Sequence, residues 1–331
     1  MRGLKSTELK LIEQIFGMTQ VGLKKAVTSI LKSKYKEVIE TEDYVIAKGS
    51  IPIALVAHLD TVFKSPPQDI YYDRQKGVLI SPEGLGADDR AGVYAILKII
   101  GSGLRPHIIF TTDEELGCVG AAALAQVECP FDYLKFVIEL DRRGTNDCVF
   151  YDCDNEEFVK YISSFGFTEA WGTFSDICEI CPAWEVAGVN LSVGYKNEHS
   201  YGETLWIEPL LDTIEKVKKI LTDADAKQFK YIPTTYLSQY YGWNFGGIGK
   251  SSWYRHGSKT MVCHKCSYEG QEEEMFPVIM LDGSVKNYCS DCILEDVEWC
   301  YICGKPHQIP KNYKLTKEGF VCKECKDKHE V

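Results

Sequence analysis

No stretch of this sequence approaches the apolar length of a membrane span, which takes about 20 residues. Its first 17 residues are mixed and amphipathic, without a signal-peptide core, so neither a spanning helix nor secretion is expected and the cytoplasm is the default. Positive charge is scarce too. Lys and Arg number 37 against 48 Asp and Glu, a formal net charge of −11, which argues against a protein whose main task is gripping phosphate backbones. Cysteine, by contrast, is plentiful at 14 residues, and eight of these fall in the last 70 positions as four Cys-x-x-Cys pairs. Without a secretion signal, that pattern reads as structural zinc rather than as a disulfide scaffold.

At 331 residues, 45% apolar and 26% charged, the chain has globular composition and room for one large core plus an appendage. Amphipathic segments at 9–16 and 23–31 are followed by strand-like runs at 38–48 and 51–57. Helical patterns recur at 91–100, after Gly117, at 156–164 and at 208–221, and 134–140 reads as a central strand. This alternation predicts an α/β fold with a mostly parallel or mixed central sheet and helices on both faces. Three domains are expected: a catalytic domain over 1–225, an aromatic and Gly-rich linker over 226–258, and a small cysteine-rich domain over 259–331.

Seven acidic and imidazole residues follow these apolar runs or the turns after them: His58, Asp60, Asp88, Glu114, Glu115, Asp141 and His199. Strands that end in charged residues gather those residues at one edge of a sheet, where open α/β folds bind their ligands. Two neighbouring divalent ions need a bridging carboxylate, further nitrogen and oxygen ligands, and open positions for water. A carboxylate that is not a ligand can then take a proton from that water, and adjacent Glu114 and Glu115 can divide those tasks.

Five motifs carry a resemblance. His-Leu-Asp-Thr-Val at 58–62, Gly-Ala-Asp-Asp-Arg-Ala-Gly at 86–92, Thr-Asp-Glu-Glu-Leu-Gly at 112–117, Glu-Leu-Asp at 139–141 and Glu-His-Ser at 198–200 resemble the co-catalytic dinuclear zinc exopeptidases. That group includes tripeptidase T, carboxypeptidase G, bacterial leucyl aminopeptidases and the aminoacylases. The resemblance covers roughly residues 35–225 and implies a three-layer sandwich. It also implies that Asp88 bridges two metals, that His58 and Asp141 complete one site, and that Glu115 and His199 complete the other. Glu114 matches the general base, and Asp60 a partner that orients His58. Two catalytic zinc ions are expected, with manganese or cobalt as alternatives, acting on a peptide or N-acyl amino acid substrate.

The chain departs from the lidded members of that group. They insert a domain of about a hundred residues between the last two ligands, whereas only 57 residues separate Asp141 from His199 here, a lidless layout. Arg142 and Arg143, directly after Asp141, and Tyr201 are candidates for substrate contact, although either arginine could instead pair with a surface acid. Cys148, Cys153, Cys178 and Cys181 read as buried thiols rather than as a further zinc site.

In the tail, 22 residues separate Cys266 from Cys289 and 18 separate Cys303 from Cys322, each the length of a hairpin. Two sequential zinc ribbons are expected, Cys263, Cys266, Cys289 and Cys292 holding one structural zinc and Cys300, Cys303, Cys322 and Cys325 the other. A cross-braced pairing is the alternative. From Lys259 to Glu298 three Lys face nine acids, a net of −6, and from Trp299 to Val331 seven Lys face four acids, a net of +3. Protein contact is therefore the expected use of the ribbons, ahead of nucleic acid. Two functional classes stand: an amide-hydrolysing exopeptidase, or a scaffold whose hydrolase-like core is a platform for the ribbons. Because all seven positions are filled, the sequence favours the enzyme.

Overall fold

The structure is a computed structural model that describes residues 3–233, 261–270, 275–289, 292, 297–299, 306–309 and 322–323. The chain divides into two compact units, Met1–Tyr241 and Gly242–Val331. No helix among the described residues is long and apolar enough to cross a membrane.

Unit 1 opens with two amphipathic helices. α1 (Ser6–Phe16) buries Ile12, Ile15 and Phe16, and α2 (Gln20–Lys34) buries Leu23, Val27 and Leu31, the one-sided stripe that a 3.6-residue period produces. Thr19 starts α2 by accepting the Gly22 amide at 3.2 Å. The run expected as one strand over 38–48 is a hairpin of β1 (Val38–Glu40) and β2 (Tyr44–Ala47). Its turn is fixed by the Thr41 hydroxyl, which accepts the amides of Asp43 and Tyr44 at 3.2 and 3.1 Å.

The remaining elements of this unit are β3 (Ile51–His58), β4 (Tyr71–Asp73), β5 (Val78–Ile80), α3 (Ala87–Gly101), β6 (Pro106–Thr111), α4 (Val119–Ala125), β7 (Phe136–Arg142), β8 (Asp147–Val149), α5 (Glu156–Ser163), β9 (Thr168–Glu169), α6 (Ile177–Ala183), β10 (Gly188–Ser192), β11 (Tyr195–Lys196), β12 (Thr204–Trp206) and α7 (Ile207–Thr222). The main sheet runs β1-β2-β6-β3-β7-β10-β8-β9. Its four central strands, β6, β3, β7 and β10, are all parallel, and antiparallel pairs β2–β6 and β10–β8 flank them. Along β3, Ile53, Leu55 and Ala57 enter the larger apolar core, while Ala54 and Val56 enter the smaller one on the opposite face. The larger core includes residues of α1, α2, α3, α5 and α7, and the smaller includes residues of α4 and α6. This is the three-layer α/β sandwich with a mostly parallel centre that the sequence predicts. A second, antiparallel sheet, β11-β12-β5-β4, was not anticipated, because its strands are only two or three residues long.

The linker expected over 226–258 begins with residues that belong to unit 1. Phe229 is buried, with its ring 5.0 Å from Phe158 and 5.3 Å from Tyr161. Its backbone receives the Ala187 amide at 3.0 Å and donates to the Lys135 carbonyl at 2.9 Å. Aromatic side chains without a helical or strand period look like linker in a sequence, yet Phe229 lies in the larger core and Tyr231 packs against it. The rest of that segment, from 234 on, lies outside the described residues.

In unit 2, β13 (Met261–Val262) pairs with β14 (Glu269–Gly270) across the turn that holds Cys263 and Cys266. β15 (Met275–Ile279), β16 (Val285–Cys289), β17 (Val297–Trp299) and β18 (Pro306–Gln308) form one sheet in the order β16-β15-β18-β17. Strands from both expected ribbons therefore share a sheet, joined by the parallel pair Ile279 and His307.

Candidate dinuclear metal site

Parallel neighbours end at the same edge, and this topology gathers the polar residues. His58 is the last residue of β3, Glu114 and Glu115 lie in the turn after β6, and Asp141 lies near the end of β7. His199 comes from the loop between β11 and β12, in a left-handed conformation with φ 59°. Asp88 sits at the start of α3, directly after Gly86 and Ala87; Gly86 supplies a φ of 64°. Gly92, one turn further on, brings α3 against β7. A Cβ there would lie 2.0 Å from the Leu140 carbonyl oxygen, so a side chain would push α3 away from Asp141.

Asp88 is central. Its Oδ1 lies 3.2 Å from His58 Nε2, and its Oδ2 lies 3.2 Å from His199 Nε2. His58 Nε2 is also 3.5 Å from Asp141 Oδ1 and 3.8 Å from Glu114 Oε2, while His199 Nε2 is 3.0 Å from Glu115 Oε2. The donor atoms of His58, Asp88 and Asp141 all lie within 4.8 Å of one another, as do those of Asp88, Glu115 and His199. His58, Glu114 and Glu115 form a third such group. Imidazole nitrogen with carboxylate oxygen suits a divalent ion such as zinc.

Asp60 braces this cluster. It lies 3.2 Å from His58 Nδ1 and accepts the amides of Glu114 and Glu115 at 3.1 and 3.0 Å. One carboxylate thus fixes both an imidazole and the turn carrying the two glutamates. Asp141 is held by the Tyr195 hydroxyl at 3.1 Å and the Ser175 hydroxyl at 3.2 Å, and its amide donates to Asn190 Oδ1 at 3.0 Å.

The charges are unbalanced. Burial pushes Asp141 well above the usual carboxylate range, reinforced by Asp88, and Glu115 rises for the same two reasons. Burial also pushes Glu114 up to about 7, with Asp176, Glu115 and Asp88 adding to the effect and His58 opposing it. Burial works against a charged His58, but the carboxylates of Asp141, Asp60 and Asp88 outweigh it and hold that imidazole well above its ordinary value. Hydrogen bonds to the two imidazoles outweigh burial at Asp88 and hold it low. Protons are shared among a crowd of acids, and Glu115 Oε1 is buried without a hydrogen-bond partner among the described residues. Bound positive charge is what such a cluster fits.

Several residues of the site carried no sequence signal. Glu203 is buried and accepts the amides of Ala87 and Asp88 at 3.1 and 3.0 Å, and burial lifts its carboxyl to about 8. Asp176, fully buried, accepts the Thr111 hydroxyl, and burial raises it to about 6. Cys118 Sγ donates to Glu114 Oε1 at 3.4 Å. These contacts span the chain or arise from loops, where a single sequence offers no period or motif.

The substrate-contact candidates have other partners. Arg142 Nη2 donates to the Trp171 carbonyl at 2.9 Å, and exposed Arg143 pairs with Glu198 at 2.6 Å, the surface pairing that was the alternative for it. Tyr201 is exposed, its ring 5.7 Å from Phe63. Cys148, Cys153 and Cys181 are buried and Cys178 is partly so; among the described residues none of them joins a cluster with metal-ligand spacing.

In unit 2 the sulfur atoms of Cys263, Cys266 and Cys292 lie within 4.8 Å of one another. Cys292 of the second knuckle thus lies beside both cysteines of the first. Cys322 is buried. The side chain of Cys289, and Cys300, Cys303 and Cys325, lie outside the described residues.

Residues 45–163 match the model of peptidase family M28. No curated protein matches. Among solved structures the chain is similar to aminopeptidase PepT from Bacillus cereus, with 17% identity over 65% of this chain and 97% of that one, TM-score 0.53. It is also similar to a tripeptidase from Staphylococcus aureus, with 15% identity over 65% and 96% and TM-score 0.51. A TET aminopeptidase from a marine sediment archaeon gives 14% identity over 67% and 98%, TM-score 0.50. At these identities the likeness is one of fold, and it agrees with the resemblance drawn from the five motifs.

Proposed function

We propose that this chain, whose residues 45–163 carry the match to peptidase family M28, is a metal-dependent exopeptidase that cleaves an amide bond next to a free peptide N-terminus. One observation carries the reading: Asp88 offers one oxygen toward His58 and the other toward His199. Two zinc ions would be held by His58, Asp88 and Asp141, and by Asp88, Glu115 and His199. Bound there, they would polarise the scissile carbonyl and lower the pKa of a water. Glu114, beside this cluster but outside both donor sets, takes a proton from the attacking water and returns it to the leaving nitrogen. Its raised pKa suits both halves of that transfer near neutral pH. Asp60 keeps His58 and the Glu114 turn in register.

A free N-terminus rather than a C-terminal carboxylate is the end we assign to the substrate site. Arg142 and Arg143, the groups nearest in sequence that would attract a C-terminal carboxylate, are engaged by the Trp171 carbonyl and by Glu198. In unit 2, convergence of Cys263, Cys266 and Cys292 supports a structural zinc completed by Cys289, with Cys300, Cys303, Cys322 and Cys325 holding a second. That module serves protein contact, and its reduced cysteines suit the cytoplasm.

The test is a panel of unblocked, N-acylated and C-amidated tripeptides given to the metal-loaded full chain. Unblocked and C-amidated peptides are expected to lose their first residue, and N-acylated ones to persist. Cleavage of N-acylated peptides alone would make the protein a deacylase. No turnover of any of them by a metal-loaded chain would favour the platform reading.

A further inference from the structure

Glu203 is four residues after His199 in the loop between β11 and β12, and its carboxylate is buried at 1% exposure. Neither oxygen faces an imidazole. Oε2 accepts the amide of Ala87 at 3.1 Å and Oε1 accepts the amide of Asp88 at 3.0 Å. These amides lie just ahead of Asp88 and Asp89, whose backbone is not helical, so the regular turns of α3 begin after them and the Glu203 carboxyl supplies acceptors for two backbone donors of the turn. The loop that carries His199 is also tied by the exposed Arg143–Glu198 pair at 2.6 Å and by local bonds, Ser200 Oγ to the Asn197 carbonyl at 2.7 Å and the Glu203 amide to the Ser200 carbonyl at 3.0 Å, but of these contacts only those of Glu203 reach the Asp88 turn. The His199 side chain itself is 52% exposed, so packing does little to fix it.

We propose that Glu203 is a positioning residue that latches the His199 loop to the Asp88 turn, setting the distance between two groups that serve the same ion. This rests on the dinuclear reading above. His58, Asp141 and Asp60 make no hydrogen bond with Glu203, so the ion at His58 meets the latch only through the shared Asp88, whereas the ion between Asp88, Glu115 and His199 meets it through both Asp88 and the His199 loop. Glu203→Gln replaces one accepting oxygen with an NH₂ group that faces a backbone N–H. Supporting bonds of this kind are worth about 10–100-fold in metal affinity.

Manganese is the probe, because it prefers carboxylate and imidazole donors to thiolates and so reports unit 1 alone. The full chain, stripped of its unit 1 metal, is titrated with Mn²⁺ while free Mn²⁺ is counted by electron paramagnetic resonance. The unaltered chain is expected to take two ions. Glu203→Gln is expected to take the second ion about 10–100-fold more weakly and to weaken the first by less. The double variant Glu203→Gln with His199→Ala is expected to lose no more than His199→Ala alone, since both act on the second ion. Glu203→Asp, which keeps the carboxyl group but shortens the reach, is expected to repeat the result and serves if the glutamine variant does not fold. Two ions bound at unchanged affinity in either folded variant, or equal weakening of both ions, would overturn the latch while leaving the dinuclear reading in place. An unaltered chain that binds no Mn²⁺ would overturn both.

Discussion

Asp60 concentrates three polar contacts in one carboxylate that is 8% exposed, and removing it tests how the site is held. Oδ1 faces His58 Nδ1 at 3.2 Å and the Glu114 amide at 3.1 Å, while Oδ2 takes the Glu115 amide at 3.0 Å. With a metal on Nε2, Nδ1 of His58 carries its proton, so all three partners are donors. Asp60→Asn can keep its oxygen toward His58 and Glu114, but its NH₂ group then meets the Glu115 N–H, stranding a buried donor at a cost of about 1–3 kcal/mol. The two surviving bonds lose their charge assistance, and together the change is expected to cost about 3 kcal/mol of stability. Asp60→Ala abandons all three contacts and is expected to cost about 4–6 kcal/mol. Urea unfolding of the metal-free chain reads the stability term, and kcat/KM with saturating metal reads the positioning term, expected to fall about 10–100-fold for Asn. If Asp60→Ala unfolds within about 0.5 kcal/mol of the unaltered chain and retains its kcat/KM, the bracing role is refuted.

Glu114→Gln should remove roughly three or more orders of magnitude of rate while metal content stays intact, read by turnover and elemental analysis; loss of an ion would make Glu114 a ligand instead. His107, away from the site, accepts the Gly49 amide at 3.0 Å through Nδ1 and stacks on Phe131 at 4.0 Å, and burial holds its pKa below the ordinary 6.5. Protonation would destroy that acceptor, so its contribution is full above pH 6.5 and is lost as pH falls through the lowered value. Melting temperatures between pH 7 and 5 are expected to fall more steeply for the unaltered chain than for His107→Gln, by a margin about the size of one hydrogen bond, 1 kcal/mol. A chain ending at residue 241 should keep its fold and cleave small peptides, whereas one ending at 225 loses Phe229 and is expected to be destabilised by at least about 3–5 kcal/mol. Equal stability of the two truncations would show that the segment from 226 does not belong to unit 1.

What the sequence disclosed follows the physics of each element. Apolar runs leading into His58, Asp141 and the Glu114 turn gave strands and site together, because parallel strands deliver the charged residues at their ends to one sheet edge. β10 escaped, since Asn190 and Ser192 interrupt its apolar pattern; the structure uses both as hydrogen-bond partners, Asn190 of Asp141 and Ser192 of the Arg143 carbonyl. α6 escaped because Pro182 and two cysteines in seven residues do not read as a helix. Glu203 was invisible for a different reason: its partners lie 115 and 116 residues earlier, and nothing local marks a carboxylate that binds the amides of a distant turn. Phe229 buries itself without belonging to any periodic element, so the sequence gives no sign that it packs into unit 1.

Anomalous scattering at the zinc absorption edge, from crystals of the zinc-loaded chain, tests the central claim most directly. Two peaks are expected in unit 1, one against His58 and Asp141 and one against Glu115 and His199, with Asp88 touching both. A single peak there, or two peaks that Asp88 does not join, would contradict the dinuclear assignment and the hydrolytic mechanism built on it.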